Sequence, residues 1–201
     1  MSQSWGPFYD AAGDLPRETL LFALERFEDE ADSSKQALLA IDLGCGAGRD
    51  TAELLRRGWR VLAIDAEDEA IERLMERDDL GPEGMGRLET QVARFQDAAL
   101  PRASLVNSSF ALPFCPPAHF GVVWARIVAS LESGGRFSGQ LFGDRDSWAT
   151  RPEMSFQTRE EIEELLRGMA LERFTEVDED GKTALGDAKH WHVFHVVARR
   201  R

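Results

Sequence analysis

The stretch ALLAIDLGCGAGRDTAELLRRGWRVLAID, residues 37–65, predicts a strand, a glycine-rich loop, a helix and a second strand, in that order. Residues 37–43 form an apolar run that is too short for a soluble helix and is closed by glycines, which is typical of a strand buried on both faces of a parallel sheet. A helix is predicted over residues 49–57, because Gly58 stands where glycine commonly ends a helix. Residues 59–64 are predicted as the next strand.

The loop after the first strand carries Gly44, Gly46 and Gly48 at alternate positions. Glycine adopts backbone angles that other residues avoid, and its missing side chain lets a ligand approach the main chain closely. Asp65 ends the second strand roughly 20 residues later, where the acidic residue of a nucleotide-binding fold accepts the hydrogen bonds of a ribose diol. We therefore predict a ligand that contains a nucleoside.

Asp42 and the glycine spacing narrow the choice of nucleoside. A dinucleotide fold has G-x-G-x-x-G and rests a pyrophosphate on the helix N-terminus, whereas this loop reads G-x-G-x-G and follows a carboxylate. Asp42 would repel a pyrophosphate and attract a positive charge, such as an ammonium or a sulfonium. A nicotinamide-dependent oxidoreductase is therefore the less favoured alternative.

IDLGCGAGRD followed by VLAID resembles the first motif and its successor in class I S-adenosylmethionine-dependent methyltransferases, and GCGAGRD is most similar to the small tellurite-resistance type. The resemblance implies S-adenosyl-L-methionine as cofactor, methyl transfer as activity, and a doubly wound, mostly parallel seven-stranded α/β sheet with a C-terminal antiparallel hairpin. By the same resemblance, the residues expected to bind the cofactor at this motif are Asp42, Gly44, Cys45, Gly46, Gly48, Asp65 and Ala66. A non-catalytic S-adenosylmethionine-binding regulator would carry the same residues and stays an alternative.

The whole chain, residues 1–201, is expected to be a single methyltransferase domain, since its length suits one α/β domain with a sizeable core. Residues 1–36 would supply a loop and a helix. Residues 37–142 would form the cofactor-binding core, and residues 143–201 a loop, a helix and the closing hairpin.

The composition excludes several classes of partner. Twenty-four Lys and Arg against 36 Asp and Glu give a formal charge of -12, which repels phosphate backbones and favours a small-molecule acceptor over nucleic acid. No apolar run approaches the length of a membrane span, and the N-terminal residues show no basic segment followed by an apolar one, so we expect a soluble protein that is not exported. The two cysteines are expected to be free thiols in a reducing cytoplasm. We expect a cytoplasmic monomer or homodimer.

Two further strand ends extend the expected site. By resemblance, Asp97 and Ala98 would meet the adenine amine and a ring nitrogen, although aspartate after a strand is also an ordinary turn residue. The next turn, Asn107 to Phe110, stands where amino-directed methyltransferases carry N/D-P-P-Y/F. Here it reads NSSF, so Asn107 and Ser109 are predicted to border the methionine end of the donor, and an N-methyltransferase is the minority interpretation.

The acceptor is expected at the other end of the cavity. Its candidate residues come from the N-terminal loop, the turn after the fourth strand and the long connection over residues 143–155, and they are Trp5, Tyr9, Phe110, Asp144, Asp146 and Trp148. Aromatic and acidic side chains suit a small, partly apolar acceptor. The alternative is that the aromatic residues fill the core and the carboxylates face water. No catalytic base is assigned.

The remaining elements follow from periodicity and from helix and turn signals. In chain order they are a loop over 1–14, a helix over 16–27 capped by Asp14, a helix over 66–77, a loop over 80–87, strands over 88–95 and 103–109, a helix from Pro116 that ends at Gly134 and Gly135, a strand over 136–142, a helix with the capping box Thr158 and Glu161, and an antiparallel pair over 171–177 and 190–198 that turns at Asp180 and Gly181.

The histidines suggest a metal only weakly. His190 and His192 share one face of the last predicted strand, and His195 lies on the other. Two histidines without a local carboxylate or thiol partner make a poor zinc site, so no metal is expected.

Overall fold

The computed structural model describes residues 5–30 and 37–201, in which the strands form one seven-stranded sheet of order β3-β2-β1-β4-β5-β7-β6. The strands are β1 (Leu39–Leu43), β2 (Arg60–Asp65), β3 (Leu88–Val92), β4 (Ala103–Ser108), β5 (Leu131–Phe142), β6 (Met169–Lys182) and β7 (Ala188–Arg200). The first five strands run parallel, and β7 pairs antiparallel with both β5 and β6. The predicted fold class, a mostly parallel α/β sheet that ends in an antiparallel hairpin, is confirmed.

Helices cover both faces of this sheet. They are α1 (Gly6–Ala11), α2 (Glu18–Asp29), α3 (Arg49–Arg56), α4 (Asp68–Met75), α5 (Gly81–Met85), α6 (Pro117–Ser130) and α7 (Arg159–Leu165), with 3-10 turns at Asp78–Leu80 and Leu112–Phe114. Successive side chains of a strand point to opposite faces. Accordingly, Ala40 of β1 packs with Leu24 and Leu54 in one core cluster, whereas Ile41 packs with Trp124 in the other. None of the described helices is long and apolar enough to cross a membrane.

The parallel pairing brings three strand ends to one edge of the sheet. Asp42 lies opposite Ala63 of β2 and opposite Asn107 of β4. Ligands of open parallel sheets bind outside the carboxyl ends of the strands. The pairing therefore places Asp42, Asp65 and Asn107 together at the edge where the sequence predicts the site.

The N-terminal segment differs from the prediction. Residues 6–11 form a helix instead of a loop, and α2 begins at Glu18 behind Arg17, which gives it no side-chain cap. Asp14 is not the cap, because its carboxylate pairs with Arg77 at 3.1 Å. Residues 1–4 of the predicted loop and residues 31–36 of the connector after α2 lie outside the described residues.

The interpretation of residues 80–87 as a surface loop was wrong. Residues 81–85 form α5, and Leu80 just before it is buried. Leu80 packs in the core cluster that contains Leu54 and Leu55 of α3. The glycines and the proline of this segment are typical of loops, which is why the sequence predicted one. Burial of Leu80 instead holds α5 against the domain.

Two element ends in the C-terminal half also lie elsewhere. Helix α6 ends at Ser130, and Gly134 and Gly135 belong to β5, where a Cβ on Gly135 would lie 2.9 Å from the Ser104 carbonyl oxygen. The hairpin does not turn at Asp180 and Gly181. Those residues pair with His190 and Lys189, and the turn is closed where the Thr183 amide donates to the Asp187 carbonyl. The Thr158 capping box of α7 is confirmed.

Candidate functional site

The glycine-rich loop joins β1 to α3 through three residues in the left-handed region of backbone space. Their φ angles are 79° at Gly44, 53° at Gly46 and 81° at Gly48. A Cβ at Gly44 or Gly48 would lie 2.2 Å from a side-chain carbon of Ala111 or Leu74, so packing alone requires glycine there. Gly46 instead faces the ring of Tyr9. Gly44 and Gly46 line a cavity at the sheet edge, and Gly48 does not.

Asp65 connects this loop to the start of the next helical segment. Its carboxylate accepts the Gly46 amide at 2.8 Å and the Glu67 amide at 3.1 Å. Burial raises the pKa of Asp65, and the hydrogen bonds from the main chain oppose that shift. Each carboxylate oxygen has more than one lone pair. Asp65 can therefore hold the loop in shape and still accept hydrogen bonds from a ligand in the cavity.

A buried pair of carboxylates lies beneath the loop. Asp42 at the end of β1 and Asp50 in α3 are 1% and 4% exposed, and the Asn107 amide nitrogen donates to both, at 3.0 and 3.1 Å. Asp42 also accepts the Thr51 hydroxyl at 2.6 Å. Burial, followed by the nearby charge of Asp50, raises the pKa of Asp42 well above the ordinary value. Two carboxylates held this close favour a cation in the cavity above them.

Two arginines stand beside this pair. Asp50 accepts the Arg17 amide at 3.1 Å and Nε of Arg49 at 3.2 Å. The guanidinium of Arg17 lies over the ring of Phe110, with Cζ 4.7 Å from the ring centroid. Burial and the neighbouring Arg49 lower the pKa of Arg17. This part of the site combines positive and negative groups, as a zwitterionic ligand requires.

The cavity has a volume of about 570 Å³ and opens at the carboxyl ends of β1, β2 and β4. Its walls are the glycine loop, the ends of the strands, α1 and the segment after β5. Among the predicted site residues, those that line it are Asp42, Gly44, Cys45, Gly46, Asp65, Ala66, Ser109, Trp5, Tyr9 and Phe110. A cavity of this size is in the range of small-molecule sites.

Helix α1 forms one side of the cavity as a cover. Trp5 packs edge-on against Phe114 at 4.9 Å, and Tyr9 faces Gly46. Asp10 pairs with Arg73 of α4 at 2.6 Å, which fastens the cover to the domain. Burial and the charge of Asp65 raise the pKa of Tyr9, so its phenol stays protonated.

The structure does not bring Asp97, Ala98 or Asn107 into the cavity lining. Asp97 is exposed, and Ala98 is fully buried with its carbonyl accepting Arg126. Phe95 and Gln96, just before them, line the cavity instead. Asn107 lies behind Asp42, where it holds the carboxylate pair. An offset of two residues cannot be read from sequence, because it depends on how the chain leaves β3.

Asp144, Asp146 and Trp148 also lie outside the cavity. Asp144 is half exposed and faces His192, whereas Asp146 is fully buried and pairs with Lys189. Trp148 packs against Lys189, whose Nζ lies 4.1 Å from the ring centroid. Trp148 packs in a hydrophobic cluster, as the alternative interpretation of the aromatic candidates predicted. Further along the same connection, Arg151, Glu153 and Met154 do line the cavity.

Sequence reasoning missed several residues of the lining. They are Arg17, Arg49, Asp50, Phe95, Gln96, His119, Arg151, Glu153 and Met154. Arg49 and Asp50 directly follow the glycine loop, so their position at the start of α3 was a usable signal. Arg17 gave no such signal, because its place depends on the packing of α2 against β5.

The histidines of β7 are held by carboxylates of β6. His192 is buried and contacts Glu176 at 2.9 Å, and His190 contacts Asp178 and Asp180. These carboxylates raise the pKa of His190. Within residues 5–30 and 37–201, no group of three or more potential ligands could hold a metal ion. In the same ranges Cys45 and Cys115 are free, buried thiols.

Comparison with known proteins bears on what this cavity binds. Residues 40–135 match the sequence model of a family described as "Methyltransferase domain". No curated protein matches the chain. Similar solved structures come from TehB of Haemophilus influenzae, from the 1,6-didemethyltoxoflavin-N1-methyltransferase of Burkholderia thailandensis and from the magnesium protoporphyrin IX methyltransferase of Synechocystis PCC 6803.

TehB has a TM-score of 0.72 and 16% identity, and the match covers 90% of this chain and 62% of that chain. The Burkholderia enzyme, solved with 1,6-didemethyltoxoflavin and S-adenosylhomocysteine, has a TM-score of 0.59 and 25% identity over 92% of this chain and 77% of that one. The Synechocystis enzyme, solved with bound SAM, has a TM-score of 0.67 and 14% identity, and the match covers 100% of this chain and 92% of that chain.

Proposed function

Because the chain is a class I S-adenosylmethionine-dependent methyltransferase, we propose that it methylates a small-molecule acceptor in the cavity beside the glycine loop. One observation carries the proposal. The carboxylates of Asp42 and Asp50 lie beneath one part of the cavity, and the aromatic rings of Trp5, Phe110 and Phe114 line another. The first part suits a cationic donor, and the second suits an apolar acceptor.

The residues present fit S-adenosylmethionine. Asp65 keeps lone pairs for the ribose hydroxyls after accepting two amides. Phe95 and Gln96 line the cavity beyond Asp65, where an adenine ring would lie. Asp42 and Asp50 would face the positive methionine portion, and Arg49 beside them would face its carboxylate. Asp42 would repel the pyrophosphate of a dinucleotide, which argues against nicotinamide cofactors.

When bound, S-adenosylmethionine supplies an electrophilic methyl group, so that a lone pair of the acceptor forms the new bond as the sulfur–carbon bond breaks and S-adenosylhomocysteine leaves. With so activated a donor, the chain mainly aligns the reactants and excludes water. The glycine loop and Asp65 would fix the donor. Helix α1 and Met154 would close the cavity over the acceptor.

The acceptor is inferred to be small. The cavity of about 570 Å³ must hold both donor and acceptor, and α1 limits its opening. Two of the similar structures are methyltransferases named for small acceptors, 1,6-didemethyltoxoflavin and magnesium protoporphyrin IX. A base is needed only if the acceptor must lose a proton. Tyr9, with its raised pKa, is poorly suited to that role.

Calorimetry and a transfer screen test the proposal together. We expect S-adenosylmethionine and S-adenosylhomocysteine to bind and NAD not to bind. Incubation with pools of small amines, acids, phenols and thiols should then give an acceptor whose mass increases by one methylene. Tighter binding of NAD than of both sulfur nucleosides would reject the proposed site. Binding of the donor without transfer to any acceptor would favour the non-catalytic regulator.

A further inference from the structure

Arg17 has an unusual environment for a charged side chain. Its Nε is buried without a hydrogen-bond partner, and its guanidinium makes no ion pair with any residue in the part of the chain that the structure describes. Its main-chain amide, not its side chain, is what contacts Asp50. Buried polar groups are nearly always paired, and a buried unpaired donor costs free energy. Because Arg17 lines the cavity, an anionic ligand is the natural partner.

The neighbour of Arg17 is itself held in a strained conformation. Phe110 has φ of 55°, and among the described residues no other non-glycine residue has a positive φ. Its amide donates to the Gln140 side chain at 3.0 Å, and Gln140 in turn donates to Thr19 at 2.9 Å. Thr19 lies two residues after Arg17 in the chain. These bonds fix the Phe110 ring beneath the Arg17 guanidinium, and such strain is typical of functional sites.

We propose that Arg17 binds an anionic group, a carboxylate or a comparable oxyanion, on a planar apolar acceptor whose ring packs near Phe110. This inference rests on the proposed function, since it specifies the acceptor of the same cavity. A guanidinium presents a planar set of donors that matches a carboxylate. The aromatic rings of Phe114 and Trp5 continue the apolar wall beyond Phe110.

Arg49 explains why Arg17 is assigned to the acceptor. Arg49 directly follows Gly48 of the loop and bonds Asp50, so it lies on the side proposed for the donor. Arg17 stacks on the turn after β4, which borders the aromatic side. Arg49 already has an anionic partner in Asp50, at 3.2 Å, whereas no residue in the described part of the chain pairs with the Arg17 guanidinium. The donor carboxylate would meet Arg49 beside the loop, and the anion for Arg17 would come from the acceptor.

The test uses matched pairs of probes in the presence of saturating S-adenosylhomocysteine. The pairs are aromatic acids and their primary amides with one to three fused rings, such as benzoate with benzamide and 2-naphthoate with 2-naphthamide. Binding is measured by calorimetry or by ligand-observed NMR. In the parent protein we expect at least one acid to bind about tenfold or more tightly than its amide, the range of a charged hydrogen bond.

Arg17→Gln should reduce that acid preference to within about twofold, and Arg17→Lys should retain part of it. Arg26→Gln, the same charge change on α2, the helix that Arg17 precedes, but outside the cavity, should keep that preference. S-adenosylhomocysteine affinity of Arg17→Gln should stay within about threefold of the parent. The Arg17 side chain makes no hydrogen bond in the described structure, so the variant should fold, which its thermal melting curve checks.

Two results would overturn the inference while leaving the proposed function intact. One is a parent protein that binds S-adenosylhomocysteine but binds no acid more tightly than its amide. The other is a loss of tenfold or more in S-adenosylhomocysteine affinity in Arg17→Gln, which would assign Arg17 to the donor. Failure of the parent to bind S-adenosylhomocysteine at all would instead reject the proposed function.

Discussion

Asp65 accepts main-chain hydrogen bonds from both Gly46 and Glu67, and we propose that it also accepts the ribose hydroxyls of the donor. Asp65→Ala should weaken S-adenosylmethionine binding by about 1.5 to 3 kcal/mol, because a charge-assisted contact is lost. Asp65→Asn should lose less, since its amide oxygen still accepts one hydrogen bond. Isothermal titration calorimetry measures the three dissociation constants.

Asp97→Ala is the matched control for Asp65→Ala. It removes the same kind of side chain from the turn that follows the neighbouring strand β3, but Asp97 is exposed and does not line the cavity. The dissociation constant of Asp97→Ala for S-adenosylmethionine should remain within about threefold of the parent value, a difference of less than 1 kcal/mol. Equal losses in the Asp97 and Asp65 variants would mean that the adenine lies where the sequence first placed it.

Asp42 should make stability depend on pH. Its pKa is raised by burial and by Asp50, so the folded protein holds a proton that the unfolded chain releases near the ordinary pKa of about 4. The stability that this proton contributes is fully present below the pKa of the unfolded chain. It is lost as the pH rises from there through the raised pKa of Asp42 in the folded protein. In the absence of donor, Asp42→Asn should therefore gain stability relative to the parent across this window, at up to about 1.4 kcal/mol per pH unit.

Urea unfolding at a series of pH values measures the difference between the parent and Asp42→Asn. Taking the difference removes the contributions of other carboxylates, such as Glu176, whose pKa is lowered by His192. Donor affinity should show the opposite trend, rising with pH in the parent and staying flat in the variant, because only the ionised carboxylate attracts a sulfonium. A pH-independent stability difference would show that Asp42 is ionised throughout.

Strand ends and loop glycines are local signals, so the sequence could group Asp42, Gly46 and Asp65, and all three line one cavity. Their contacts with the cofactor stay a prediction. It could not place Asp146. That carboxylate lies 43 residues from Lys189 in the chain, and only the folded hairpin brings the two together. Arg17 was missed for the same reason, as its contact with Phe110 joins distant segments.

At the scale of elements, the segment after β5 is fixed to β7 by the buried pair of Asp146 and Lys189. Asp146 also accepts the amides of Trp148 and His192, and Lys189 lies among the rings of Phe142, Trp148 and Trp191. Asp146→Ala should cost about 3 to 5 kcal/mol, because it leaves a buried charge without its partner. Lys189→Met should cost a similar amount for the same reason.

A double-mutant cycle in urea tests this pair. The combined variant, Asp146→Ala with Lys189→Met, should cost less than the sum of the single changes, since it leaves neither charge buried alone. An exposed pair, Arg60 with Glu89, offers the control, with an expected coupling of no more than about 1 kcal/mol. Strict additivity at Asp146 and Lys189 would show that water or another group already compensates the charges.

Strands and long helices were predictable because burial imposes a period on them. The ends of elements were not, as the C-terminal hairpin shows. Beyond Val177 the apolar alternation of β6 stops, yet the strand continues to Lys182, with Asp178 and Asp180 contacting His190 across the hairpin. Pairing by charged side chains leaves no hydrophobic period in the sequence. The turn therefore lies several residues beyond the position that the acidic run suggested.

The whole molecule carries a formal charge of -12. S-adenosylmethionine has a net charge of about +1 and S-adenosylhomocysteine about zero, because the sulfonium is the difference between them. An anionic protein attracts a cationic ligand over distances that salt screens, whereas a neutral ligand feels little of this field. The association rate of S-adenosylmethionine should therefore fall severalfold as salt rises from about 10 mM to about 0.5 M, a range over which the Debye length shrinks from roughly 30 Å to a few Å.

The association rate of S-adenosylhomocysteine should change little over the same salt range. Stopped-flow fluorescence can follow both ligands, since Trp5 lines the cavity. The two ligands share every contact except the methyl group and its charge, so the difference between their salt dependences isolates electrostatic attraction from any effect of salt on the cover. Parallel salt dependences would mean that Arg17, Arg49 and the other cations of the lining cancel the field of the molecule where the ligand enters.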